Sequence, residues 1–316
     1  MAWRVVFFGT AELAVASLKA LVGDPKYDLV AVVTQPDKPR GRDLHLQPSA
    51  VKAAALELSL PVLQPKRARD PQFIEEVRQL HPDLSVVAAY GQILPQALLD
   101  VPKYCSLNVH TSLLPRHRGA APIQWAILSG DSETGITIMK MDAGLDTGPM
   151  LTQRKTPMLE SDTGQTLHDR LAQMGAALLL ETIPAWIEGR IPEQAQPGGA
   201  TYARKIEKAD GLINWEEPAV EIWRKVRAFT PWPGAFTFLE SAGRRRMIKI
   251  WEAHPIAGKG SERAGVIVSA TRDGIDIGAG DTLLRIVGLQ PEGKKRMAAQ
   301  EFLAGNPVSP GQVFSR

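Results

Sequence analysis

The sequence predicts an α/β protein with a Rossmann-like parallel sheet at its N-terminus and a smaller, OB-like β-barrel at its C-terminus. Three observations predict it. Through residues 1–189, short β-rich apolar runs alternate with stretches of helical periodicity, the pattern of parallel strands joined by helices. From Gly189 to Ala200 the composition turns to Gly, Pro and Gln, as in a linker. Beyond it come short β-like runs at regular spacing, as in a small barrel. The expected division is a domain over 1–189, a linker over 190–207 and a second domain over 208–316.

Arg4 to Phe8 reads as a strand ending at Gly9, and Leu13, Ala16, Leu18 and Leu21 then recur at helical spacing as far as Gly23. Tyr27–Thr34 is the next strand, Ser49–Glu57 a helix, Pro61–Leu63 a short strand and Pro71–Leu80 a helix. Leu84–Ala89 is almost wholly apolar, as suits a strand buried on both faces. Cys105–His110 is a further strand, Ile123–Leu128 a helix and Ile136–Met141 a strand. A last helix runs from Thr163 to about Ile183, with Asp162 as its N-cap and Pro184 kinking or ending it. In the second part, Ala219–Arg227 is helical. The strands there are Ala235–Leu239, Met247–Trp251, Gly265–Ser269, Gly274–Ile277 and Leu283–Ile286.

The 316 residues are 44% hydrophobic and 22% charged, an ordinary globular composition, and they exceed what one small core organises. The 24 prolines and 27 glycines imply many loops. No apolar run approaches the roughly 18 residues of a membrane span, and Met1–Phe8 is too short for a secretory signal, so a cytoplasmic protein is expected. Cys105 is the single cysteine; it can form no internal disulfide, and no Cys and His cluster has metal-ligand spacing. Charge is uneven. Residues 1–189 carry 18 Lys and Arg against 20 Asp and Glu, and residues 190–316 carry 19 against 14. The basic second part is compatible with a polyanionic partner.

Open α/β sheets bind ligands beyond the carboxyl ends of their strands, which directs attention to Gly9-Thr10, Gln35–Pro48, Tyr90-Gly91-Gln92, Asn108–Gly119 and Asp142–Gly148. Asn108 and His110 stand two apart in one strand and so project from one face. An amide donor can hydrogen-bond a developing oxyanion, and an imidazole can exchange a proton with a nitrogen nucleophile or leaving group, so the pair suits acyl transfer. Such a histidine needs an orienting carboxylate. Asp142 and Asp146, after the next strand, are both candidates. Taken singly, each of these residues also fits a structural role, as a strand cap, a core histidine or a turn former.

The motifs taken together resemble those of methionyl-tRNA formyltransferases over nearly the whole chain. The matching pieces are Phe8-Gly9-Thr10, Thr34-Gln35-Pro36-Asp37 with Gly41-Arg42, Tyr90-Gly91 with Ile93-Leu94-Pro95, Asn108-Val109-His110, Ser112-Leu113-Leu114-Pro115, Arg118-Gly119-Ala120-Ala121-Pro122-Ile123-Gln124 and Gly144-Leu145-Asp146-Thr147-Gly148. Trp232-Pro233-Gly234 and Leu289-Gln290-Pro291 with Gly293-Lys294-Lys295 continue the likeness. The resemblance implies a catalytic trio of Asn108, His110 and Asp146. It also implies a folate wall of Ser112, Leu113, Leu114 and Pro115 with Tyr90, Gly91, Gln92 and Ile93. The donor would be 10-formyltetrahydrofolate, the acceptor initiator methionyl-tRNA, with no metal and a monomeric enzyme. The breaker-rich loop Gln35–Pro48, expected to lack regular structure, would contact the tRNA acceptor arm through Arg42, with Lys38 and Arg40. Lys205, Lys208, Lys294, Lys295 and Arg296 are further phosphate candidates, each weaker than Arg42.

Other readings fare less well. Asp146-Thr147-Gly148 and Asp162-Thr163-Gly164 suggest an aspartic protease, but the triplets lie sixteen residues apart in an α/β context. Gly9-Thr10-Ala11-Glu12-Leu13-Ala14 lacks the later glycines of the dinucleotide fingerprint. A formyltransferase acting on an amino sugar would share the trio, and a non-catalytic RNA-binding relative would keep the fold.

Overall fold

The computed structural model describes residues 2–40, 45–241, 244–258, 263–306 and 308–316. It contains two compact units, the first of Met1–Pro122, Glu133–Pro157 and His168–Arg204, the second of Ile123–Ser132, Met158–Leu167 and Lys205–Arg316.

Its strands in the first unit are β1 (Trp3–Gly9), β2 (Tyr27–Val33), β3 (Lys38–Arg40), β4 (His45–Gln47), β5 (Val62–Leu63), β6 (Leu84–Ala88), β7 (Cys105–His110), β8 (Arg118–Gly119), β9 (Glu133–Lys140), β10 (Met150–Pro157) and β11 (Tyr202–Ala203). Its helices are α1 (Leu13–Val22), α2 (Ala50–Glu57), α3 (Pro71–Gln79) and α4 (Gln96–Leu99); α5 (Pro122–Leu128) and α6 (Gly164–Ile187) include residues of both units. Seven strands form one sheet in the order β10-β9-β7-β6-β1-β2-β5. From β7 to β5 every pairing is parallel. The central strands are apolar along their length because helices cover both faces: Val5, Val6, Phe7, Phe8, Val86 and Leu107 are all buried. One apolar cluster joins Val6, Phe8 and Val33 to Phe73, Val77, Leu94 and Leu98.

The expectation of a parallel sheet needs one correction. β9 runs antiparallel to β7, with Leu107 opposite Lys140 and His110 opposite Thr137, and β10 runs antiparallel to β9. A second correction concerns Gln35–Pro48, where β3 and β4 form a two-stranded ribbon pairing Lys38 with Gln47 and Arg40 with His45. A third concerns α6. The Thr163 hydroxyl accepts from the Thr166 backbone at 3.2 Å, so Thr163 is the cap, while Asp162 accepts from Leu159 N at 2.7 Å; Pro184 lies inside the helix, which continues to Ile187.

In the second unit, α7 (Ala219–Ala228) precedes β12 (Ala235–Ser241), β13 (Arg244–Ile256), β14 (Ile267–Thr271), β15 (Gly274–Gly278), β16 (Leu283–Pro291), β17 (Met297–Ala298), α8 (Ala299–Gly305) and β18 (Phe314–Ser315). The sheet order β14-β15-β16-β13-β12-β18 is antiparallel throughout, and β17 pairs with β16. This curled sheet is the smaller, barrel-like half of the fold. Its core gathers Ile222 and Val226 from α7 with Ile248, Ile250, Ile275, Ile277, Leu284, Ile286 and Phe314. Ile222 and Val226 stand four apart on one helical face. Among the described residues no helix is long and apolar enough to cross a membrane.

Candidate active site

Asn108 and His110 leave β7 on one face, as alternation along a strand requires, and the loop between β9 and β10 brings Asp146 to both. Asn108 Nδ2 donates to Asp146 Oδ1 at 3.2 Å, and His110 Nδ1 lies 3.6 Å from Asp146 Oδ2. The far ring nitrogen, His110 Nε2, is 3.0 Å from the backbone oxygen of His117. A carbonyl only accepts, so Nε2 carries a proton. The imidazole therefore stands between two acceptors, a carbonyl and a carboxylate, and it is buried.

Spacing alone left both Asp142 and Asp146 as candidates, and the family resemblance pointed to Asp146; their surroundings differ in the structure. Asp142 accepts from Gly144 N at 3.1 Å and from the Thr147 hydroxyl at 2.7 Å, the hydrogen bonds of a turn former. Asp146 is held with φ 53°, a left-handed conformation that an Asp tolerates better than most residues. Its carboxylate also accepts from Gly119 N at 2.8 Å. A charged acceptor with a backbone donor, an amide and an imidazole around it is fixed in direction. The amide of Asn108 uses one N–H on Asp146 and has a second to offer a ligand.

Such an arrangement can serve acyl transfer, with an amide donor for an oxyanion and an imidazole for the proton. Burial pushes the Cys105 thiol up to about 12, so it stays protonated at neutral pH. Among the described residues no group of His, Cys, Asp and Glu could hold a metal ion.

Comparison with known proteins decides which acyl-transfer family this is. Residues 3–183 match the formyl transferase family and residues 205–307 match the formyl transferase C-terminal domain. The methionyl-tRNA formyltransferase of Citrifermentans bemidjiense is 48% identical over 314 residues, covering 99% of this chain and 96% of that protein. The one from Geobacter sulfurreducens is 46% identical over 309 residues, covering 98% and 95%. The chain belongs to the methionyl-tRNA formyltransferase family. Among solved structures, the N-formyltransferase of Helicobacter canadensis, in complex with folinic acid and dTDP-3-aminofucose, matches with a TM-score of 0.64 at 18% identity, covering 90% of this chain and 99% of that one. That likeness bears on fold alone.

The segments expected to wall a folate site, Ser112–Pro115 and Tyr90–Ile93, have side chains that divide into supports and exposed groups. Ser112 is buried with its hydroxyl donating to Arg116 O at 2.6 Å, and Leu114 packs against Met139 and Met150. The Thr137 hydroxyl on β9 donates to Ser112 O and accepts from Leu114 N, pinning the turn. Leu113 and Pro115 are half-buried. The ring of Tyr90 is only 2% exposed and packs edge-on against Phe8, so the apolar side chain that Tyr90–Ile93 exposes is that of Ile93, which is 82% exposed. Gln92 is turned inward to accept from Ala68 N. Gly91 has φ 81°, and a Cβ there would lie 2.6 Å from Gln35 Nε2.

Of the residues expected to meet RNA, Arg42 lies outside the described residues, and Arg40 is the last residue of β3. Lys38 is exposed, with its ammonium on Gln35 Oε1. Lys205 and Lys208 are exposed in the second unit. Trp215 is core and donates to Thr237, whereas Trp232 is 57% exposed.

Sequence reading missed a group of residues in the supposed linker. Gln196 Nε2 donates to the backbone oxygens of Asp146 and Gly148, both at 2.8 Å, and Gln196 Oε1 accepts from the Arg118 guanidinium at 2.7 and 3.0 Å. The Thr201 hydroxyl accepts from His117 N at 2.9 Å. The Gly, Pro and Gln content that signalled a linker carries no hint of such contacts.

Proposed function

We propose that the protein transfers the formyl group of 10-formyltetrahydrofolate to the α-amino group of initiator methionyl-tRNA. The observation that carries this reading is the convergence of Asn108, His110 and Gly119 N on the single carboxylate of Asp146. Family membership supplies the one-carbon chemistry and the acceptor. In this reading the neutral amine attacks the formyl carbon, and the new C–N bond turns the carbonyl oxygen into an oxyanion that the second N–H of Asn108 stabilises. The His110 and Asp146 pair takes the proton lost by the amine and returns it to the folate nitrogen as the old C–N bond breaks. The products are formyl-methionyl-tRNA and tetrahydrofolate. No covalent enzyme intermediate is needed.

Leu113, Pro115 and Ile93 offer the apolar surface for the pterin, and backbone groups of Ser112–Pro115 and Tyr90–Gln92 offer its polar contacts. Residues 1–189 then form the catalytic domain and 208–316 the tRNA-binding one. Arg42, together with Lys38 and Arg40, takes the acceptor arm, and Lys205 and Lys208 meet phosphate. We further propose a cytoplasmic monomer. The test is a formyl-acceptor assay with 10-formyltetrahydrofolate and either charged initiator tRNA or a nucleotide-linked amino sugar. Formylation of the tRNA, with binding that weakens steeply as salt rises because phosphate contacts release counterions, is the expected result. Formylation of the sugar alone would overturn the reading.

A further inference from the structure

The segment Gln194–Ala203 is bonded to the site at both of its working ends. At one end it holds the loop that carries Asp146. Gln194 N and O pair with Met150 O and N, both near 2.9 Å, and two residues on, Gln196 donates to the oxygens of Asp146 and Gly148. The first of those carbonyls belongs to Asp146, itself in the left-handed region, a conformation that persists only where the surroundings determine it. Arg118, by filling both sites on Gln196 Oε1, turns the amide so that its NH₂ faces the loop.

At the other end the same segment holds the peptide that faces His110. His117 O is the partner of His110 Nε2. His117 has φ 58°, and its N–H donates to the Thr201 hydroxyl. Thr201 O accepts from Arg118 N at 2.9 Å, Tyr202 and Ala203 pair with Arg118 and Gly119, and Ala203 O accepts from Ala120 N at 2.8 Å. The Gly119 peptide, which donates to Asp146, is therefore fixed by the same strand. We infer that Gln194–Ala203 is a positioning strap, in which Gln196 sets the direction of Asp146 and Thr201 sets the carbonyl that orients His110. It rests on the proposed catalytic roles of those two residues. Neither Gln196 nor Thr201 touches the reacting atoms in this account; each acts through another side chain.

The discriminating substitution is Gln196→Glu. It keeps the length and an acceptor for Arg118 but replaces the NH₂ that donates to two carbonyls with an oxygen that repels them. The expected result is a fall in kcat of about tenfold or more, with KM for donor and acceptor within about threefold, and a melting temperature within about 3 °C of wild type. A kcat within threefold of wild type overturns the inference, as does a fall in kcat accompanied by an equal loss of folate binding. Thr201 gives an independent arm: Thr201→Val, which removes the acceptor for His117 N, lowers kcat, and Thr201→Ser recovers most of that loss. If valine and serine behave alike, the hydroxyl has no positioning role. Each variant is compared with wild type on whichever acceptor the wild type formylates. A wrong acceptor therefore overturns the proposed function and leaves the outcome for the strap readable.

Discussion

Asn108 uses one N–H on Asp146 and in the proposed mechanism gives its second to the oxyanion, so truncating it removes that donor and one of the groups that fix the carboxylate. Asn108→Ala is expected to lower kcat by about 100-fold or more while leaving KM for the folate close to wild type. Steady-state kinetics read both, and near-normal turnover would remove Asn108 from the mechanism. The placement of Asn108 and His110 on one face was legible from their spacing, because strand alternation is a property of the backbone. The choice between Asp142 and Asp146 was not legible from spacing and came only with the family resemblance. A glycine-rich turn has no periodicity, and in the structure the Thr147 hydroxyl on Asp142 and the Gly119 peptide on Asp146 tell the two carboxylates apart.

At the scale of elements, α1, α2, α3, α5 and α7 and strands β1, β2, β6 and β7 were legible within a residue or two because their apolar periodicity is strong, whereas α6 runs four residues past its expected end and α4 and α8 were not read. Strand direction was not legible, since β9 has the same β-branched content whichever way it runs. The ribbon of β3 and β4 was hidden for another reason: Pro39 sits on a strand open on one side, where a missing N–H is tolerated. The two-residue strands β8 and β11 are too short to carry a pattern. Their pairing nevertheless makes a testable demand. Gly119 has φ 118°, and a Cβ there would lie 2.7 Å from Ala203 O, so Gly119→Ala must break the pairing or the backbone angle. Amide hydrogen exchange is expected to rise across 118–120 and 201–203, with kcat falling because the Gly119 peptide leaves Asp146. Unchanged exchange in both segments would show that the pairing is dispensable.

At the scale of the molecule, each unit has its own apolar core, and the second also buries an ionic group. Burial alone would raise the Asp276 carboxyl, but hydrogen bonds from Arg285 and Ser269 outweigh it and hold it below the ordinary carboxylate range. A carboxyl whose pKa is lower folded than unfolded adds stability that is fully present above its unfolded value near ~4, and that stability is lost as pH falls through the folded value. Asp37, lowered by hydrogen bonds from Lys52 and Gln64, acts in the same direction. Replacing Asp276 with Asn is therefore expected to lower the melting temperature at pH 7 more than at pH 3. A melting-temperature series across that range reads it, and a loss independent of pH would contradict the linkage.

Asp146 is where the three scales meet, because its carboxylate joins β7, the peptide of β8 and the loop after β9. The most direct measurement is the single-turnover rate of formyl transfer by Asp146→Asn, an isosteric change that keeps the shape and removes the charge. The expected rate is lower by about 1,000-fold or more, with folate binding, followed by fluorescence, within about threefold of wild type. A rate within tenfold of wild type would contradict the claim that this carboxylate organises the chemistry.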